Sequence, residues 1–349
     1  MIKKKILLIS IVILDNMSKH GKNIKLNEVP HTPTLNKSRP KTIKNNHGQI
    51  KMELVEEYTP NGINKTRKFR PVKCSPKQSN ELNNFTCYTD ESLIKLRDYW
   101  NSRHPDHLIT SNNSRDIWTH LKKYMDKVCD TESCWLRQKF IINNLDNELL
   151  NYTFSPKQPS SWKSNKNTWL TSIEIEQLMK QYEHAFPCFA FIGPSPIDFD
   201  SKKLYDECVW EELCKFDLKE YLKRGKTKIG IIFNTDPHYK DGSHWIAMYI
   251  DIRKKFIFYF DSNGNVAPNE IKELQSRIKD QGSAIGINFT VDENAPLEHQ
   301  KGNSECGMYS MHFIIQLLTD NKTIDYFKTH RIPDGEMEKL RNEYFNSDL

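Results

Sequence analysis

Two strongly apolar runs in the second half of the chain predict its central structural element. Residues 246–252 and 256–260 are apolar at nearly every position, and a short basic segment at 253–255 separates them. Runs of this length, rich in Ile, Phe and Tyr, are typical of strands with both faces buried. The pattern predicts an antiparallel hairpin, in which the residue before the first strand and the residue after the second lie side by side.

A helical period begins further along the chain. Apolar side chains recur every three or four positions after Cys306, at Met308, Met311, Ile315 and Leu318. Ile314 and Leu317 widen this apolar face. This spacing is typical of a helix with a buried face. It predicts a helix that begins at or just after Cys306.

Residues 82–155 contain three further helical patterns. Asp90 and Ser114 are the predicted N-caps of the first two, and a third apolar stretch runs from residue 134 to 142. A segment rich in Ser, Asn and Pro at 155–166 predicts a boundary. The expected organisation is a leader over 1–75, a helical arm domain over 76–160 and an α+β domain over 161–349.

Composition changes the picture mainly at the N-terminus. The length of 349 residues allows two cores, but 37% hydrophobic residues and a mean hydropathy of −0.72 indicate that part of the chain is unfolded. Residues 1–73 hold 16 Lys/Arg against 5 Asp/Glu, a net +11, so the remainder carries −5 of the total +6. This leader is expected to make weak nucleic-acid contact. A solvated linker is the alternative, favoured by its few aromatic residues.

The first residues resemble a signal peptide, with three lysines before the apolar run 6–14. That run is too short to span a bilayer, and no small-residue cleavage site follows it. Met17 is an alternative translation start. The sequence predicts no membrane span.

Four polar residues in chain order provide the parts of an acyl-transfer site: His244, Asp261, Gln300 and Cys306. A thiol attacks as thiolate, so Cys306 needs an imidazole to take its proton. The hairpin brings His244 beside Asp261, which can orient the imidazole. Gln300 and the first backbone N–H of the following helix can stabilise an oxyanion. Gly307 is expected to admit the substrate backbone.

This order and spacing resemble the superfamily of adenovirus-type and SUMO-specific cysteine proteases. The match consists of His244-Trp245, Asp261 17 positions later, Gln300, and Cys306-Gly307. The likeness is greatest to polyprotein-processing proteases of the African swine fever virus type, which carry Asn where this chain has Asp261. The resemblance implies an adenain-like, papain-related α+β fold, with a mostly antiparallel sheet flanked by helices.

The same resemblance implies a substrate tunnel. Trp169 and Trp245 match the two tryptophans that close over the substrate in SUMO proteases, where they leave room only for glycine before the cut. Two ordinary core tryptophans are the alternative. This chain has Thr171-Ser172 where the SUMO enzymes carry Asn-Asp, which argues against SUMO as the main substrate.

The eight cysteines suggest neither metal nor disulfide. Cys129, Cys134, Cys208 and Cys214 are loosely spaced, with no histidine at ligand distance. A catalytic thiol also fits a reducing compartment, where disulfides are rare. We therefore expect no metal, no cofactor and no disulfide.

The resemblance implies a thiol protease that cleaves viral structural polyprotein precursors after glycine-containing sites, acting in the host cytoplasm during assembly and packaged in the virion. The helical arm would then dock substrate, or merely stabilise the enzyme. Two alternatives remain open. One is a deconjugase of ubiquitin-like or SUMO-like modifiers, and the other is an inactive scaffold that binds nucleic acid through the leader.

Overall fold

A five-stranded mixed sheet organises the C-terminal part of the chain. In the computed structural model, which describes residues 69–77 and 83–347, the strands follow chain order across the sheet. They are β1 (Phe189–Pro196), β2 (Lys228–Asn234), β3 (Trp245–Asp251), β4 (Phe256–Phe260) and β5 (Thr290–Glu293). The central pairs β2–β3 and β3–β4 are antiparallel, while β1–β2 and β4–β5 are parallel. The α+β class and the hairpin are confirmed, although each edge pair is parallel.

Both faces of the sheet are covered, as the unbroken apolar runs predict. On one face, Ala247, Tyr249 and Phe258 pack against the helix that begins at Cys306. On the other, Ile246 and Met248 pack against a separate helical layer. The helices of this half are α6 (Ser172–Ala185), α7 (Glu211–Cys214), α8 (Leu218–Lys223), α9 (Asn269–Ser283), α10 (Cys306–Leu318), α11 (Ile324–Thr329) and α12 (Asp334–Tyr344).

The N-terminal region is helical and has its own core. Its helices are α1 (Asp90–Arg103), α2 (Ser114–Met125), α3 (Glu132–Trp135), α4 (Lys139–Ile142) and α5 (Asn147–Asn151). Trp100, Leu121 and Trp135 belong to one buried cluster within this region. Helix α2 ends at Met125, and Val128, three residues further along the chain, is more than half exposed.

The predicted caps of α1 and α2 are each wrong by one residue. Thr89 and Asn113 are the capping residues, because their side chains accept the first free backbone N–H groups. The side chains of Asp90 and Ser114 bind each other instead, with 2.5 Å between Oγ of Ser114 and Oδ1 of Asp90. This contact joins the beginnings of the two helices.

Asn346, near the C-terminus, binds the segments on both sides of the helical region. Its side-chain amide donates to the carbonyl oxygens of Lys73 and Ser155, and its side-chain oxygen accepts from Lys73 N. All described residues belong to one compact unit, Lys65–Leu349. The domain limits at 75 and 160 stay predictions.

The expectation of no disulfide is wrong. Three disulfides join Cys74 to Cys87, Cys129 to Cys134, and Cys208 to Cys214, with Cα–Cα distances of 5.0, 5.5 and 6.2 Å. Two cysteines, Cys188 and Cys306, are free. The spacing typical of zinc ligands does not indicate whether these cysteines pair, because a disulfide needs only two sulfur atoms that the fold brings together.

Several predictions concern residues outside the described part. The signal-like opening, the alternative start at Met17 and nearly all of the basic leader lie there. Within residues 69–77 and 83–347, no helix combines the length and apolarity needed to cross a bilayer. In the same ranges, no cluster of three His, Cys, Asp or Glu side chains is arranged to hold a metal ion.

Candidate active site

His244 and Asp261 meet at one end of the β3–β4 hairpin. His244 immediately precedes β3 and Asp261 immediately follows β4, and the register pairs Ala247 with Phe260. The imidazole Nε2 lies 2.6 Å from Oδ1 of Asp261, whose side chain is almost wholly buried. A short, buried, charge-assisted hydrogen bond of this kind orients the ring and stabilises its charged form.

The Asp261 carboxylate is itself held by the turn that follows it. Oδ1 also accepts the backbone N–H of Asn263 at 2.8 Å, and Oδ2 accepts the side-chain amide of Asn265 at 2.9 Å. Asn294, at the end of β5, pairs its side chain with the backbone N–H and C=O of Asp261. Sequence reasoning missed Asn265 and Asn294. The available signal was that each residue lies in a turn that follows a predicted or observed strand, with Asn263 and Asn265 close together in the first turn.

Cys306 is the first residue of α10 and is 2% exposed. Its thiol interacts electrostatically with the His244 side chain and raises the pKa of the imidazole. Because Nε2 of His244 is bonded to Asp261, Nδ1 is the ring nitrogen that can take the proton of the thiol. The position at a helix start offers unpaired backbone N–H groups and the positive end of the helix dipole, which favour a thiolate.

The surroundings of His244 favour its charged form. Burial, the largest influence, disfavours the imidazolium, but the hydrogen bond to Asp261 and the interactions with the charges of Asp261 and Cys306 outweigh it. Together they raise the pKa of His244 to about 9. An imidazolium at neutral pH is the partner that a thiolate requires.

Gln300 is buried, and its amide orientation is fixed. Oε1 accepts the hydroxyl of Ser262 at 2.9 Å, and Nε2 donates to the carbonyl of Gly302 at 2.9 Å. An amide nitrogen carries two N–H groups, so within the described part of the chain one donor is left for a substrate oxygen. The backbone N–H of Cys306, in the first turn of α10, can provide the second.

The two tryptophans line one groove beside the nucleophile. Trp169 is 42% exposed, Trp245 is half-buried, and the Trp245 indole N–H donates to the carbonyl of Leu170 at 3.0 Å. A Cβ on Gly307 would lie 3.0 Å from the Leu170 side chain and 3.2 Å from the Trp245 ring. Gly307 therefore accommodates this wall, whereas the sequence suggested that it admits the substrate backbone.

The arrangement supports acyl transfer through a thioester. His244 takes the proton of Cys306, and the thiolate attacks the substrate carbonyl carbon. The oxyanion can accept from the Cys306 N–H and from Gln300. The imidazolium gives its proton to the leaving amine, and His244 then activates the water that hydrolyses the thioester and restores the thiol.

Comparisons with known proteins agree with this chemistry. Residues 219–348 match the Ulp1 protease family, C-terminal catalytic domain. A putative thiol protease from Acanthamoeba polyphaga mimivirus is 28% identical over 78% of this chain and 93% of its own length. A SUMO-1 cysteine protease from African swine fever virus (isolate Pig/Kenya/KEN-50/1950) is 28% identical over 69% and 91% of the two chains.

A solved structure shows the same fold. The crystal structure of an African swine fever virus protease aligns with a TM-score of 0.54 at 22% identity. The alignment covers 80% of this chain and 97% of the viral enzyme, so it includes more than the catalytic domain. The chain is a cysteine peptidase, and its residues 219–348 are similar to the catalytic domain of the Ulp1 protease family.

Proposed function

We propose that this peptidase cleaves viral structural polyprotein precursors after glycine-containing sites during particle maturation. The observation that carries the proposal is the groove lined by Trp169 and Trp245, whose Trp245 ring packs against Gly307, the residue after Cys306. Aromatic walls next to the nucleophile exclude bulky side chains by steric clash, which hydrogen bonding does not relieve. The viral origin of the relatives supports a viral substrate.

The proposal includes a location and a second partner. The enzyme acts in the host cytoplasm during assembly and is packaged in the particle. The basic leader then contacts the nucleic acid there, weakly and with a steep salt dependence.

The second candidate function is removal of SUMO-like modifiers, because one relative is named a SUMO-1 cysteine protease. The local structure disfavours it. Thr171, at the position of the Asn in the SUMO enzymes, is the N-cap of α6 and forms a capping box with Glu174. Ser172 replaces the acid that holds a ubiquitin-like partner.

The test incubates the full chain with candidate structural precursors and identifies the new N-termini. We expect cuts after Gly-Gly or Gly-x-Gly, and strong loss when the final Gly is changed to Val. A fluorogenic SUMO C-terminus is assayed in parallel. Faster turnover of the SUMO substrate than of every precursor would favour the deconjugase.

A pair of variants tests the tryptophan wall. Trp245→Ala should lower turnover while relaxing the preference for glycine. Tyr239→Ala, which removes an aromatic side chain that is 74% exposed, is the matched control and should change neither. A peptide library without glycine enrichment before the cut would refute the wall's role while leaving Cys306 as nucleophile.

A further inference from the structure

A buried ion pair holds the residue that precedes the nucleophile. Arg341, in the last helix, donates from Nε to Oε2 and from Nη2 to Oε1 of Glu305, both at 2.8 Å. The side chains are only 4% and 3% exposed. Two parallel hydrogen bonds between a planar guanidinium and a carboxylate define orientation as well as distance. The backbone just before Cys306 is therefore held by the C-terminal end of the fold.

The same guanidinium also holds the tryptophan segment. Nη1 of Arg341 donates to the carbonyl of Thr168 at 2.8 Å, and Nη2 donates to the carbonyl of Ser304 at 3.1 Å. The guanidinium carbon lies 4.5 Å from the ring centre of Trp162. Because Thr168 immediately precedes Trp169, one side chain connects the segment before the nucleophile with the segment that forms the groove wall.

We propose that Arg341 is a positioning residue of this peptidase, and that it aligns the Cys306 thiol with the Trp169–Leu170 wall through Glu305 and Thr168. Stability alone does not account for the pair, since replacing a buried ion pair by packed apolar side chains is often neutral or stabilising. An apolar pair would not hold a carboxylate and two carbonyl groups at once. Misplacing a reacting group by about 1 Å can cost about 100-fold in rate.

The pair also determines the charge beside the thiol. The His244 imidazole interacts electrostatically with Cys306, and Glu305, bound by Arg341, immediately precedes Cys306 in the chain. Without Arg341, the Glu305 carboxylate would keep the hydroxyl of Ser304 as a partner but would lose its positive counter-charge, and a buried negative charge one residue from the nucleophile opposes thiolate formation. Removing both charges together would relieve this repulsion but would leave Thr168 without its donor.

Three variants separate positioning from stability. They are Arg341→Met, the double variant Glu305→Met/Arg341→Met, and Lys339→Met, which removes an exposed positive charge from the same helix as a matched control. Circular dichroism and thermal unfolding determine the folded fraction. The activity measurements are kcat and KM on a Gly-Gly peptide, and the rate of Cys306 alkylation against pH, read by peptide mass spectrometry so that Cys188 does not interfere.

For Arg341→Met, we expect alkylation of Cys306 to require a higher pH than in the wild type. The double variant should fold and recover the wild-type alkylation profile, yet its kcat should stay about 10- to 100-fold low. Arg341→Lys should not rescue kcat, because an ammonium cannot make the planar set of contacts. Lys339→Met should match the wild type.

Two results would overturn the proposal. One is a folded double variant with wild-type kcat, which would make the pair a structural element only. The other is a loss of activity that is proportional to the unfolded fraction in every variant. In that case the pH dependence of Cys306 alkylation in the folded protein would be unchanged.

Discussion

Replacing Asp261 by Asn tests the hydrogen-bonded charge behind the catalytic imidazole. The Asp261 carboxylate accepts from His244, from the backbone N–H of Asn263 and from the side chain of Asn265. An amide has one acceptor oxygen, so its NH₂ group must face a donor in either orientation. The orientation that keeps His244 and Asn263 bound turns this NH₂ toward Asn265. The substitution therefore removes the charge and one hydrogen bond while keeping the imidazole oriented.

The magnitude follows from the proton affinity of His244. Its pKa is about 9, compared with an ordinary 6.5, although burial acts in the opposite direction. Each tenfold change in proton affinity corresponds to about 1.4 kcal/mol, so the site stabilises the imidazolium by roughly 3 kcal/mol. Asp261 contributes the first of the hydrogen bonds that produce this. If most of it is lost in the transition state, kcat/KM should fall on the order of 10²-fold.

The assay is kcat/KM on a Gly-Gly peptide at neutral pH, with Cys306→Ala as the zero-activity reference and thermal unfolding as the fold control. Asn265→Asp combined with Asp261→Asn offers the NH₂ group an acceptor and should recover part of the loss. A fall of less than threefold in Asp261→Asn would refute the charge argument. A loss as complete as that of Cys306→Ala would show that the acid is indispensable.

Three further predictions concern the catalytic pair, the pH dependence of stability and the disulfides. Cys306→Ala and His244→Ala should each abolish cleavage with an unchanged circular dichroism spectrum, and substantial activity in folded Cys306→Ala would exclude this nucleophile. Because the folded pKa of His244 is raised to about 9, its contribution to the free energy of unfolding is complete below pH 6.5 and is lost as the pH rises through 9. Denaturant unfolding at a series of pH values should show this loss of stability in the wild type but not in His244→Ala. The same change in the free energy of unfolding with pH in both proteins would contradict the prediction. Burial lowers the pKa of His299 and of His312, so both titrate below this window. Alkylation of the denatured, unreduced protein should label only Cys188 and Cys306, and all eight cysteines after reduction; more than two labelled thiols before reduction would contradict the three disulfides.

The sequence by itself determined the elements whose signal is local. The apolar runs at 246–252 and 256–260 predicted a buried hairpin because strand and helix periods can be read within a few residues. Antiparallel pairing then placed His244 near Asp261, and the stripe after Cys306 predicted a helix that begins at the thiol. These inferences did not need the tertiary structure, because the positions concerned are adjacent in one hairpin or one helix.

Only the tertiary structure decided the contacts between distant segments. The three disulfides, the contact between Leu170 and Gly307 and the ion pair between Arg341 and Glu305 depend on how the elements pack. Residue spacing carries no signal for such pairs, because the chain between them can follow many paths until long-range packing selects one. The two misplaced caps have the same cause, since the contact between the side chains at 90 and 114 crosses from one helix to another and leaves capping to their neighbours.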